Sequence, residues 1–153
     1  MADTKDKLKV FLCHASENKP IVKDLYDDLV AAGYAPWLDS EVLIPGVDWD
    51  REIRIALRAS DSVIVCVSSV LVDKEGYIQK ELRFAQDMQS EKPGGTIFLI
   101  PLRLDNCKIP FELQSIQWGD YTTSNGFEKL VQSLNRRAKQ LGKKTGKPKK
   151  KRP

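Results

Sequence analysis

The chain has 153 residues, 41% hydrophobic and 30% charged, with a formal net charge of +4. That length supports one hydrophobic core and one domain, and the composition is that of an ordinary globular protein. The longest apolar runs, residues 63–67 and 97–100, are too short to cross a bilayer. Residues 1–9 mix charge and polarity without the apolar core of a secretory signal, so the expected location is cytoplasmic.

The cysteines are Cys13, Cys66 and Cys107, an odd number, two of them inside apolar runs. That excludes a disulfide framework and predicts small buried thiols. With no Cys-x-x-Cys pair and His14 the only histidine, a zinc site lacks ligands, and no metal is expected. The positive charge is confined to one end. Residues 142–153 hold Lys143, Lys144, Lys147, Lys149, Lys150, Lys151 and Arg152 with no acid, which leaves 18 bases against 21 acids, or −3, over residues 1–141. The body therefore carries no nucleic-acid footprint. The basic segment has no apolar residue and is expected to be disordered. It is expected to be a linker to a further domain or a contact for anionic surfaces. The predicted organisation is one domain over 1–141 and a basic tail over 142–153.

Taken in order, residues 8–13 (LKVFLC) read as a buried strand. Residues 18–32 repeat apolar side chains at helical spacing, with Asn18 as N-cap and Gly33 to end the helix. Residues 34–38 are a second strand, 39–47 a loop with Pro45-Gly46, and 48–59 a second helix. Residues 61–67 (DSVIVCV) are rich in β-branched side chains and read as a central strand. A third helix is predicted over 76–89, a fourth strand over 96–104, a short fifth strand over 115–118 and a last helix over 127–141.

Alternating strands and helices predict an α/β fold, a doubly wound five-stranded parallel sheet with helices on both faces. Ligands of such sheets bind beyond the carboxyl ends of the strands, at the switch point. That directs attention to residues 13–18, 39–49 and 68–77. The turn after the first strand, Cys13-His14-Ala15-Ser16-Glu17-Asn18, has no glycine. A dinucleotide-binding fingerprint, a P-loop and a flavodoxin-type phosphate loop are all excluded there. A receiver domain needs acids at the ends of strands one and three, where this chain has Cys13-His14 and Ser68-Ser69.

Glu81 is the sharpest chemical signal. Ile78, Leu82, Ala85 and Met88 form the apolar stripe of the third helix, and Glu81 falls inside it at about 100° per residue. A carboxylate there must be paired, shift its pKa or face a cavity. A structural ion pair, with Arg83 or another arginine, and a catalytic role both satisfy that requirement. Trp37 and Trp49 flank the second loop, and each is either a packing residue or a stacking platform for a base. Ser16 and Ser68, at strand ends, suit ligand hydroxyls or phosphates as well as turns. The loop side chains Val42, Leu43, Ile44 and Val47 present unusual apolar surface, which must pack either on the domain or on a partner.

The stretch Val10-Phe11-Leu12-Cys13-His14-Ala15-Ser16-Glu17-Asn18-Lys19 resembles the opening box of bacterial Toll/interleukin-1 receptor (TIR) domains. Trp37-Leu38-Asp39, Pro45-Gly46, Trp49, Ile53, Ala56-Leu57, Ser60 and the strand ending at Ser68 are similar to that family's second box and following core. Tyr77-Ile-Gln-Lys-Glu81, then Ala85, resembles the aromatic-x-x-x-Glu motif of TIR enzymes, and Ile100-Pro101-Leu102 and Ile109-Pro110 follow the bacterial pattern. Cys13 stands where many members have Ser, and Tyr77 where many have Trp.

The resemblance, spanning about residues 7–141, implies a flavodoxin-like TIR fold and an NAD⁺ glycohydrolase or cyclase. Glu81 would be catalytic, with Ser16, Trp37, Trp49, Ser68 and Tyr77 binding substrate. NAD⁺ is then the substrate, and no cofactor is required. It also implies self-association with other TIR domains through Val42, Leu43, Ile44, Pro45 and Gly46, in immune or antiphage signalling. The alternative is a non-catalytic TIR adaptor with the same fold.

Overall fold

The computed structural model describes residues 6–14, 16–38, 49–70, 77–110 and 113–148. The strands β1 (Lys9–Cys13), β2 (Ala35–Leu38), β3 (Ser62–Val67), β4 (Leu99–Arg103) and β5 (Gly119–Asp120) form one sheet in the order β2-β1-β3-β4-β5. Every neighbouring pair is parallel. The helices are α1 (Lys19–Ala32), α2 (Trp49–Ala59), α3 (Tyr77–Ser90) and α4 (Gly126–Leu141). The predicted doubly wound α/β architecture is thus observed.

The period-2 alternation of a strand sorts the central residues between two cores. Val10, Leu12, Ile64, Cys66, Ile100 and Leu102 face one side, where α1 contributes Val22, Leu25 and Leu29 and α4 contributes Leu130, Val131, Leu134 and Ala138. Phe11, Cys13, Val63, Val65, Val67 and Leu99 face the other, against Ala56 and Leu57 of α2 and Ala85 of α3. Each of β3's six residues is buried, as its β-branched composition requires of a strand covered on both faces. All three cysteines are buried thiols.

Gly33 ends α1 in the left-handed region at φ 108°, and the N–H of Tyr34 bonds the Leu29 carbonyl at 3.0 Å. Pro101 sits inside β4 at no cost to the ladder. Leu104 N–H points to β3, bonding the Val67 carbonyl, and Arg103 faces β5 through its bond from Tyr121 N–H. By alternation the Pro101 nitrogen faces the β5 side, where pairing begins only at Leu102.

Two expectations are corrected. The fifth strand is Gly119–Asp120, not residues 115–118. Ile116 and Trp118 are partly buried packing residues of the second core, so their alternation reflects packing rather than pairing. Arg103 anchors β5 instead, donating to Asp120 through Nε at 3.1 Å and Nη2 at 2.5 Å.

The second correction concerns the basic tail. Residues 142–148 are docked, so the ordered unit runs past Leu141. Lys143 N–H bonds the Ala138 carbonyl, Lys144 N–H the Asp6 carbonyl at 2.9 Å and Lys147 N–H the Ala32 carbonyl at 3.0 Å. Asn135 grips Gly146 twice, accepting its N–H at 2.6 Å and donating to its carbonyl at 2.8 Å. Lys143 Nζ lies 2.5 Å from the Asp61 carboxylate. Composition missed this because the strap is held by backbone groups and by a buried glycine against Tyr34, not by apolar side chains. The expected free tail then concerns residues 149–153, which lie outside the described residues. Among the described residues no helix is long and apolar enough to cross a membrane.

Candidate functional site

The switch point of this strand order lies between the carboxyl ends of β1 and β3. β1 delivers Cys13 and His14 there. His14 is buried, and its Nδ1–H donates to the Leu12 carbonyl at 3.3 Å. This bond is a structural use of the imidazole. Ser16 begins a short 3-10 turn, Ser16–Asn18, that leads into α1. Asn18 occupies the N-cap position but makes no side-chain cap bond. Its Oδ1 instead accepts the Ser68 hydroxyl at 2.5 Å. Ser68, the residue after β3, is fully buried, so this bond ties the β1 exit to the β3 exit.

The next residue, Ser69, is held from the opposite side. Both Asp105 carboxylate oxygens accept its backbone N–H, at 3.2 and 3.1 Å, and Oδ1 also accepts its hydroxyl at 3.2 Å. Burial acts to raise the Asp105 pKa. The hydrogen bonds from Ser69 and Cys107 outweigh it and hold the carboxyl below its ordinary value. Cys107 feels the converse: burial, and then the neighbouring Asp105 charge, push its thiol up to about 11.

Trp37 is engaged in packing. Its ring meets Phe11 edge-on, with centroids 4.6 Å apart, and its indole N–H donates to Ser60 Oγ at 3.3 Å. Ser60 in turn donates to the Ala56 carbonyl at 2.8 Å, which fixes Trp37 to α2. Of the two roles open to this residue, packing is the one its contacts occupy.

Glu81 lies in the second turn of α3, on a helix whose far end is well anchored. Gln89 accepts the N–H groups of Phe98 and Leu99 at 3.1 and 2.9 Å and donates to the Thr96 carbonyl at 2.9 Å. Gln89 therefore marks the amino edge of β4. Position 81 is eight residues back, about 12 Å along the axis toward the carboxyl edge at 1.5 Å per residue. It is also one turn before Ala85, which is 1% exposed. The backbone places position 81 near the edge where the switch point lies. The side chains of Glu81, Tyr77, Trp49 and Ser16 lie outside the described residues, as do Val42, Leu43, Ile44, Pro45 and Gly46.

A cavity of about 480 Å³ opens between α2 and α3, lined by Arg54, Arg58, Phe84, Met88 and Lys92 among others. Its α3 residues run from Phe84 toward the helix end, so it is not the expected switch-point cleft. Arg54 stacks over Phe84 at 4.4 Å. Among the described residues no three His, Cys, Asp or Glu side chains group as a metal site. Two contributors escaped the sequence reading, Asp105 and the side-chain role of Asn18. Both act across more than 30 positions of sequence, which no local spacing signals.

The TIR domain family profile matches residues 10–134. An uncharacterised protein, y4cD, of Sinorhizobium fredii (strain NBRC 101917 / NGR234) is 34% identical over 112 residues. That match takes in 71% of this chain and 17% of the relative, so the chain spans about a sixth of that protein's length. Among solved structures, the TIR domain of the Toll-related receptor TRR-2 from Hydra magnipapillata is similar, with a TM-score of 0.66 and 19% identity, covering 82% of this chain and 96% of that one. A prokaryotic SEFIR domain is similar at a TM-score of 0.58 and 16% identity, covering 84% and 92%. At such identities the structural likenesses establish the fold, while the profile spans most of the chain. The chain belongs to the TIR domain family.

Proposed function

We propose that this TIR domain cleaves the nicotinamide–ribose bond of NAD⁺, with Glu81 as the catalytic anion. The observation that carries the reading is the placement of position 81. It lies one turn before the buried Ala85 and toward the carboxyl edge of the sheet, at a place in the sequence where helical spacing predicts an apolar stripe. A carboxylate in that setting requires a function or a partner.

The chemistry needs little more than that anion. The bond from ribose C1′ to the pyridinium nitrogen breaks, and its electron pair neutralises the departing nicotinamide. No general acid is needed, unlike two-carboxylate sites that cleave sugar acetals. Glu81 holds ribose hydroxyls and stabilises the developing oxocarbenium charge. Water adds its oxygen to C1′ and releases a proton, giving ADP-ribose. Attack by a hydroxyl of the same molecule gives a cyclic product. Ser68, buried at the switch point, would contribute to the substrate-binding wall together with Ser16, Trp49 and Tyr77.

TIR domains generally associate with one another, and the reading places the contact at Val42, Leu43, Ile44, Pro45 and Gly46. The exposed Lys144 and Lys147 of the strap, continuing into residues 149–153, would serve an anionic surface or a further domain. By analogy with the family, the setting is immune or antiphage signalling in the cytoplasm. A non-catalytic adaptor would share the fold and place no demand on Glu81. Incubating concentrated protein with NAD⁺ and assaying free nicotinamide separates the two readings. Release supports the enzyme, and its absence at every protein concentration favours the adaptor.

A further inference from the structure

The two strand exits at the centre of the sheet are joined by more than the β ladder. The last ladder bond runs from Leu104 N–H to the Val67 carbonyl at 2.8 Å. Beyond it the Asp105 carboxylate reaches back across the gap and takes three contacts from Ser69, at 3.2, 3.1 and 3.2 Å. The nearby Cys107 also favours its charged form. The carboxylate takes the Ser69 N–H with both of its oxygens, a charge-assisted contact that an amide, with one oxygen and an NH₂ in place of the other, does not reproduce.

What that anchoring fixes is the neighbour of Ser69. Ser68 is fully buried and its hydroxyl reaches Asn18 at 2.5 Å. The β3 exit is therefore held on one side by the β1–α1 turn and on the other by Asp105. The crevice of this sheet order lies on the β1 side of β3, and Asp105 follows β4 on the other side.

We infer that Asp105 is a positioning residue, which acts through Ser69 to hold the Ser68 end of β3 in the geometry that binds substrate. The inference rests on the reading of the switch point as the NAD⁺ site. Because Asp105 sets the shape of a binding wall and touches no reacting atom, its loss weakens binding without slowing the bond cleavage. Glu81 variants do the reverse.

The test uses the full chain with NAD⁺ as the probe, comparing wild type, Asp105→Asn and Ser69→Ala. For Asp105→Asn the expected result is a KM raised roughly tenfold, about one lost charge-assisted hydrogen bond, with kcat within about threefold of wild type. Ser69→Ala keeps the backbone contacts to the carboxylate and loses only the hydroxyl, so its KM should rise less, about two- to threefold. Unchanged KM in both variants overturns the proposal, as does a collapse of kcat at constant KM. Should Asp105→Asn fail to fold, Ser69→Ala decides alone, with unchanged KM as the refuting result. Amide exchange at Ser68 and Ser69 supplies a readout independent of turnover. If the wild type neither binds nor cleaves NAD⁺, the reading of the site fails. Asp105 is then judged by exchange: acceleration in Asp105→Asn retains its hold on the β3 exit, and an unchanged rate removes it.

Discussion

Replacing Gly146 with Ala tests whether the basic strap belongs to the folded unit. A Cβ added at that position would lie 2.5 Å from the Ala32 carbonyl oxygen and 2.6 Å from Tyr34 Cζ. Neither neighbour yields easily, since Ala32 is the last residue of α1 and Tyr34 is 1% exposed. Overpacking of that kind costs about 1–3 kcal/mol. In a chain of this length each kcal/mol lowers the melting temperature by roughly 2–4 °C. The strap also has a way out, which is to come off, so Gly146→Ala cannot cost more than removing residues 142–153 altogether. Urea and thermal denaturation of both variants give the comparison. Asn135→Ala adds a cycle: its cost should shrink in the truncated chain, where its Gly146 partner is already gone. Because the strap's contacts are with Asp6, Ala32 and Asp61, at the amino edge of the sheet, truncation should leave NAD⁺ cleavage intact below the lowered melting temperature. A truncated chain that melts with the full-length protein, together with a neutral Gly146→Ala, would mean that the strap adds nothing to the folded unit.

Other perturbations follow from the same contacts. Burial pushes the Tyr34 hydroxyl up to about 12 from 10.0. The folded state therefore holds that proton more tightly than the unfolded chain, and its contribution to stability is full below pH 10 and lost as pH rises toward 12. Tyr34→Phe should flatten stability between those pH values, as followed by denaturant titration. At the acid end, burial opposes ionisation of Asp120, but its bonds from Thr122 and Arg103 prevail and hold its pKa below the ordinary value. Its stabilisation is present above the ordinary carboxylate range and lost as pH falls through the lowered value. Asp120→Asn should shrink the acid-side loss of stability. If residues 39–47 mediate assembly, specific activity should climb with protein concentration, and Leu43→Asp or Ile44→Asp should remove that dependence without unfolding the domain. Constant specific activity on dilution would contradict it.

Much of the sheet was legible because buried parallel strands announce themselves. The β-branched run of β3 and the LKVFLC of β1 leave little choice of environment. Gly33 was readable as a helix stop for a local reason, its positive φ. The features that escaped are those without a local signal. β5 is two residues long, and the alternation of Ile116 and Trp118 just before it imitates a strand. The strap's docking depends on Asn135, Asp61 and Asp6, distant in sequence and invisible to composition. At the site, the stripe of α3 made position 81 conspicuous, whereas Asp105 gains its meaning only when β4 is set beside β3. Asn18 was recognisable as a helix start, but which way its side chain turns depends on Ser68, 50 residues later.

On the proposed function, Glu81 supplies the charge with which this TIR domain cleaves NAD⁺. The most direct measurement is nicotinamide release by wild type and Glu81→Gln at matched, high protein concentration, with melting temperatures recorded alongside. Glu81→Gln should lose on the order of 10²-fold or more in kcat, the usual worth of a group aimed at transition-state charge. The fold should be unchanged and the melting temperature held or raised, as follows for a charge placed in an apolar helical stripe. Wild-type turnover in the Gln variant would contradict it.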